Sequence, residues 1–170
     1  IWMVHTWGVY RLKSDGSVAV NVSFDIPRAL DVDPYDGSMW VIGRGCCGYP
    51  SLVKVDVNGN LLFSSYNDFK VLNNTGRGSL AVVHSDGSVW IKPDSGNYVG
   101  HVVKLDKNGN ILVDVPGFSA NGNIRVNQNT GDVYVVDNVG FATASVSKYS
   151  STGTLLKIGP TFSYCAEARG

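Results

Sequence analysis

Asp36-Gly37-Ser38-Met39-Trp40-Val41 and Asp86-Gly87-Ser88-Val89-Trp90-Ile91 are one phrase written twice, 50 residues apart. A tight turn opens it, and a short β-prone run led by an aromatic residue follows. Trp2-Met3-Val4 carries the same run, and so does Tyr134-Val135-Val136 after the turn Thr130-Gly131-Asp132. The four aromatic positions are spaced by 38, 50 and 44 residues. Self-similarity at a period of roughly 20–50 residues marks a repeat architecture in which each unit needs its neighbours to bury its apolar faces.

Downstream of each aromatic comes a second marker: Tyr10-Arg11-Leu12, Val53-Lys54-Val55, Val103-Lys104-Leu105 and Ser147-Lys148-Tyr149. A basic residue between mostly apolar neighbours is the alternation of a half-buried strand. Asp15-Gly16, Asn58-Gly59, Asn108-Gly109 and Thr152-Gly153 close these strands, and such pairs readily take the positive φ of hairpin turns. A further strand follows each turn, as at Leu61-Leu62-Phe63 and Ile111-Leu112-Val113. Another precedes the aromatic, at Ala29-Leu30-Asp31-Val32, Leu80-Ala81-Val82-Val83 and Ile124-Arg125-Val126. A unit is therefore four hairpin-linked strands, a to d, in about 45 residues, which is the size of a propeller blade. No capped stretch of helical periodicity competes with it.

The predicted fold is all-β: a β-propeller of four-stranded antiparallel blades. About four repeats of a six- to eight-bladed ring are present, in one domain over residues 1–170. The expected bounds are a partial blade at 1–26, blades at 27–69, 70–119 and 120–160, and the start of another at 161–170, where Ala168-Arg169-Gly170 resembles the lead-in to strand a. An open stack leaves two blade faces wet at about 25 cal/mol per Å² of apolar surface. The remaining blades or a self-associating partner are expected to cover them.

Three segments carry a family resemblance: Pro27-Arg28-Ala29-Leu30-Asp31-Val32-Asp33, Asp36-Gly37-Ser38-Met39-Trp40-Val41 and Lys54-Val55-Asp56-Val57-Asn58-Gly59-Asn60. They resemble the NHL-repeat propellers, the group that includes the streptogramin-lyase-like proteins, over essentially the whole chain. The resemblance implies the fold and leaves the activity open, because this fold hosts binders, scaffolds and enzymes alike. The lyases' motif of a catalytic His with acidic metal ligands has no counterpart in this sequence.

Composition removes several classes. Fourteen basic and fourteen acidic residues cancel, and charged residues make up only 16 % of the 170, so the basic footprint of nucleic-acid binding is missing. No apolar run reaches the roughly 18 residues of a membrane span. Gly, Ser, Asn and Tyr dominate the polar positions, and an extracellular or periplasmic setting is expected. The three histidines, His5, His84 and His101, lack zinc or haem spacing, so no metal and no cofactor is predicted. Asp106-Lys107-Asn108-Gly109-Asn110 looks like a calcium loop but places its glycine too early and recurs as a c–d turn. Gly43-Arg44-Gly45-Cys46-Cys47-Gly48 fits a dinucleotide fingerprint, but a β-run follows it where a helix is required.

Hairpin geometry puts the uniform a–b and c–d turns on one face and the b–c and d–a connections on the other. The second set is long and variable: b–c loops at 43–51, 93–101 and 137–145, and a d–a loop at 66–78. Variable loops are where function is grafted. The candidate ligand-binding residues are accordingly Arg28, Arg44, Cys46, Cys47, Tyr49, Arg77, Asp94, Tyr98, His101, Asp137 and Asn138. His84 is expected to be structural, and Trp2, Trp40, Trp90 and Tyr134 are expected to pack between blades. For Cys46-Cys47 the sequence leaves open a strained vicinal disulfide, two free thiols, or a pairing with Cys165. A vicinal disulfide would resemble the one above the cofactor in pyrroloquinoline-quinone propeller dehydrogenases. The expected function is a non-catalytic propeller module that binds a protein or glycan on its long-loop face or serves as a scaffold. The alternatives are a lyase-like or quinone-dependent enzyme with its site over the channel, and a repeat unit that self-assembles into a ring or fibre.

Overall fold

The computed structural model describes residues 1–24, 26–43, 52–65, 78–93, 100–119, 122–140 and 143–163. They form fifteen strands in four antiparallel sheets. The first sheet has three strands, β1 (Trp2–His5), β2 (Gly8–Leu12) and β3 (Val18–Ser23). The second runs β4 (Pro27–Val32), β5 (Met39–Gly43), β6 (Leu52–Val55) and β7 (Leu61–Ser64). The third runs β8 (Ser79–Val82), β9 (Val89–Lys92), β10 (His101–Leu105) and β11 (Ile111–Pro116), and the fourth β12 (Gly122–Val126), β13 (Val133–Gly140), β14 (Thr143–Tyr149) and β15 (Leu155–Ser163). Each sheet is an up-and-down meander in sequence order. β1 lies against β4, β4 against β8 and β8 against β12, so the first strands of successive sheets stand side by side. This is the blade arrangement of a propeller.

Two turns, repeated, set this geometry. In the a–b turns, Asp33 N–H donates to Ser38 O and Gly37 N–H to Asp33 O, and the same pair of bonds recurs at 83–88 and 127–132. Gly37, Gly87 and Gly131 all sit near φ 70°, a region in which a Cβ is strained. In the c–d turns, Asp56 N–H donates to Asn60 O, Asp106 N–H to Asn110 O and Ser150 N–H to Thr154 O. Asp106 spends its carboxylate on Asn108 and Asn110, as Asp56 does on Asn58 and Asn60. It is a turn, as the sequence indicates.

The aromatic positions follow the sheets' neighbours. Trp40 and Trp90 are fully buried. Trp40 packs with Val82, Val89, Ile91, Val103 and Leu105 of the next sheet, and Trp90 with Ile124, Val133 and Val135 of the one after. Trp2 is half-buried against the second sheet. Tyr134, on the outer face of the fourth sheet, is 37 % exposed.

Two basic residues of the second marker, those of the inner sheets, do not lie on a solvated face. Lys54 and Lys104 are buried in strands covered on both sides, because a blade between two others has no wet face. Each pairs across the sheet with the aromatic, Lys54 with Trp40 and Lys104 with Trp90, and each ammonium lies about 6 Å from that ring's centre, within cation–π range. Lys54 then donates to Lys107 O and Lys104 to Ser151 O, carbonyls in the c–d turn of the following sheet. Asp36 lies 4.0 Å from Lys54, and Asp86 3.6 Å from Lys104.

Turn aspartates give the fold an acid limit. Hydrogen bonds from Ser17 and Asn60 hold Asp15 and Asp56 below the ordinary carboxylate value. For Asp36, Asp86 and Asp106 burial is the largest influence and pushes upward, but the bonds from Ser38, Ser88, Asn108 and Asn110, with Lys54 beside Asp36 and Lys104 beside Asp86, together outweigh it. A carboxyl lowered on folding contributes stability above its unfolded value, and that stability is lost as pH falls through the folded one. Melting temperature is therefore expected to be flat from neutrality down to about pH 5 and to drop steeply below about pH 4. Unchanged melting at pH 3 would contradict this.

Candidate functional site

Of the eleven residues predicted for the long-loop face, Arg44, Cys46, Cys47, Tyr49, Arg77, Asp94 and Tyr98 lie outside the described residues, and so does Cys165. The other four fall on three sheets. Arg28 is the extra residue of a β-bulge in β4, between the pairs Pro27–Gly43 and Ala29–Ile42, and it is exposed. Bulges re-aim side chains at sheet ends. His101 opens β10, where its Nδ1 lies 2.6 Å from Asp114 Oδ1 on β11. Asp114 is the orienting carboxylate for that imidazole, and nothing in the sequence links the two residues.

Asp137 and Asn138 correct the predicted b–c loop at 137–145. Both belong to β13, with Asp137 opposite Ser145 and Asn138 opposite Ala144. Their polar composition reads as loop, but the ladder continues through them because the opposite strand, β14, begins at Thr143. The outer strand of the same sheet, β15, runs on to Ser163. Residues 161–163, expected to open a further blade, therefore complete the fourth.

Asp137 forms a knot between the third and fourth sheets. It accepts bonds from Ser119 N–H and Ser119 Oγ, at 2.9 and 2.6 Å. Lys92, at the end of β9, is fully buried; its Nζ lies 3.6 Å from Asp137 Oδ1 and donates to Ser119 O. Gly122 gives the lysine its room, since a Cβ there would strike Val136 O and meet Lys92 Cε. Burial, aided by the charge of Asp137, pushes the Tyr149 hydroxyl above its ordinary value. The knot ties the chain after β11 to the fourth sheet.

A different site lies on the short-turn face. Pro34, Tyr35, His84, Ser85 and Gln128, from three successive a–b turns, line an open cleft of about 330 Å³. Its backbone is locked. Asp33 is buried and accepts Tyr35 N–H, and its carboxylate packs against Gly87 of the next turn. Gln128 accepts His84 N–H and donates to Val82 O, both at 2.8 Å. Tyr35 is 78 % exposed. The sequence held one signal for it: the turn position of Tyr35 is Ser85 and Asn129 in the other repeats, so the fold does not require an aromatic there. The cleft can offer an aromatic face with imidazole, hydroxyl and amide groups around it, the usual means of fixing a small polar ligand.

No family model matches the chain, and no curated protein matches it. Solved structures do. A functionally unknown protein from Desulfotomaculum acetoxidans superposes with a TM-score of 0.60 at 15 % identity, covering 94 % of this chain and 50 % of that one. A protein of unknown function from Bacteroides caccae gives 0.55 at 11 % identity, covering 94 % and 55 %. An auxiliary nutrient binding protein from Bacteroides thetaiotaomicron gives 0.53 at 13 % identity, covering 97 % and 38 %. The chain thus spans about half or less of their lengths, and at these identities the likeness is one of fold. Among the described residues no helix is long and apolar enough to cross a membrane.

Proposed function

We propose that this chain is a β-propeller binding module that takes a small polar ligand with an apolar ring face, such as a sugar unit, in the cleft between its a–b turns. The observation that carries this reading is the exposed ring of Tyr35 beside His84, Ser85 and Gln128, on a backbone locked by Asp33 and Gln128. Binding is favoured over acid–base chemistry because the turn carboxylates are spent on their own backbones and held ionised. The role stated for the auxiliary nutrient binding protein is in keeping with it, and an extracellular or periplasmic setting and an NHL-type relationship belong to the same proposal. Arg28, aimed outward by its bulge, and the variable loops leave the long-loop face as a second surface for a protein or glycan.

Titration of a panel of mono- and oligosaccharides by calorimetry, with NMR of the Tyr35 and His84 resonances, tests the cleft. Tyr35→Ala is expected to weaken binding at least about tenfold while stability changes by no more than about 0.5 kcal/mol, as for other exposed side chains. Sugar binding that leaves both resonances and the Tyr35→Ala affinity unchanged would remove the cleft from the proposal. A second reading, a propeller enzyme, is favoured by the His101–Asp114 pair, half of a general-base device. The same panel, followed for turnover with His101→Ala as control, tests it.

A further inference from the structure

Asp33 is a buried carboxylate without a countercharge. It is 5 % exposed. Among the described residues it takes part in no ion pair, and its side chain accepts one hydrogen bond, from Tyr35 N–H to Oδ1 at 3.0 Å. Its Oδ2 packs instead against Gly87 of the next turn. The neighbouring lysines are engaged elsewhere or point away. Lys54 lies against Asp36 and Lys104 against Asp86. Lys107, whose Cβ stands beside the same glycine, is exposed and pairs with no carboxylate among the described residues.

The turn does not need this charge. The backbone bonds of the 33–38 turn recur at 83–88 and 127–132, with Val83 and Asn127 in the place of Asp33. Asn127 Oδ1 accepts Asn129 N–H as Asp33 Oδ1 accepts Tyr35 N–H, so an uncharged amide does the same local task. A carboxylate taken out of water without a cation is strongly unfavourable, and buried charges are as a rule paired. The position of Asp33 shows where a partner would sit. Asp33 directly precedes Pro34 and Tyr35, and Gly87 follows Ser85 by two residues, so the carboxylate lies between the bases of two turns whose tips wall the cleft. The exposed Tyr35 ring attracts cations to its face as well. Of the residues lining the cleft, only His84 can itself carry a positive charge.

We propose that the cleft takes an amine-bearing ligand, an amino sugar in preference to a neutral or acidic one, with Asp33 as the buried countercharge and Tyr35 as the stacking face. This rests on the reading of the cleft as a sugar site and adds to it the charge of the sugar. Opposite charges a few ångströms apart attract strongly where water is partly excluded, and a carboxylate on the ligand is repelled by a similar amount. Complementarity of this kind decides which ligand is held.

Calorimetric titration with glucosamine, glucose and glucuronate at pH 7 tests the charge separately from the site. Glucosamine is expected to bind at least about tenfold more tightly than glucose, and glucuronate at least about tenfold more weakly. Asp33→Asn copies Asn127 and keeps an acceptor for Tyr35 N–H, and it should bring the glucosamine-to-glucose ratio close to one. Asp36→Asn removes a carboxylate of the same turn that faces water and lies against Lys54. It should move the ratio by less than about threefold, since an exposed charge is screened. Thermal melts of both variants establish that the fold is retained. A ratio near one in the parent, or a ratio that Asp33→Asn leaves unchanged, overturns the charge assignment while sugar binding in the cleft stands. Calcium binding that Asp33→Asn abolishes, with no preference for the amine, would assign the carboxylate to a metal instead. Failure of all three sugars to bind removes the cleft reading and the charge assignment together.

Discussion

Trp90→Ala is expected to cost about 3–5 kcal/mol, the range for truncating a buried aromatic. Trp90 is fully buried and packs with Ala81, Val83 and Val102 of its own sheet and Ile124, Val133 and Val135 of the fourth. Its indole N–H has no hydrogen-bond partner among the described residues, so the loss is one of packing. The cavity would open under Lys104, whose ammonium lies 6.0 Å from the ring centre. In an array where each unit contacts only its neighbours, a damaged interface uncouples what lies beyond it. Hydrogen exchange should therefore lose protection first in the fourth sheet, while β5 and β6 keep theirs. Trp7, which is 68 % exposed, is the control: Trp7→Ala should move stability by no more than about 0.5 kcal/mol. Equal losses at the two tryptophans, or a melt of Trp90→Ala indistinguishable from the parent, would mean that the sheets do not depend on the packing between them.

That prediction rests on a pattern legible in the sequence, and it marks where legibility ended. Turn chemistry is local: Gly59, Gly109 and Gly153 need positive φ whatever surrounds them, so the hairpins and the strands between them can be read directly. Burial is not local. Lys54 and Lys104 look like the wet half of an alternating strand because their cover comes from another sheet. Asp137 looks like loop because its partners, Lys92 and Ser119, lie in other parts of the chain. The cleft was the least visible, since Tyr35, His84 and Gln128 come from three repeats and meet only through the stacking of the sheets. His84 reads as structural because it ends strand a on the short-turn face. Its backbone does bond to Gln128, but its side chain lines the cleft.

Asp137→Ala is expected to cost about 3–5 kcal/mol, as breaking one half of a buried ion pair does. The carboxylate is 13 % exposed and Lys92 not at all, so its loss takes a countercharge away from a buried ammonium. Ser119 loses Asp137 as an acceptor for its N–H and hydroxyl in the same step. If the cost comes mainly from the lost countercharge, removing the ammonium should recover part of it. Lys92→Met in the Asp137→Ala background is then expected to be more stable than Asp137→Ala alone, because replacing a buried pair by apolar groups is often close to neutral. Urea denaturation of the two single variants and the double variant measures this coupling. A recovery identifies the knot as a clamp between the third and fourth sheets and removes Asp137 from the ligand-binding candidates of the long-loop face. Strictly additive losses would mean that Lys92 and Asp137 do not sense one another. An Asp137→Ala protein of unchanged stability would return this carboxylate to the surface residues that a ligand could use.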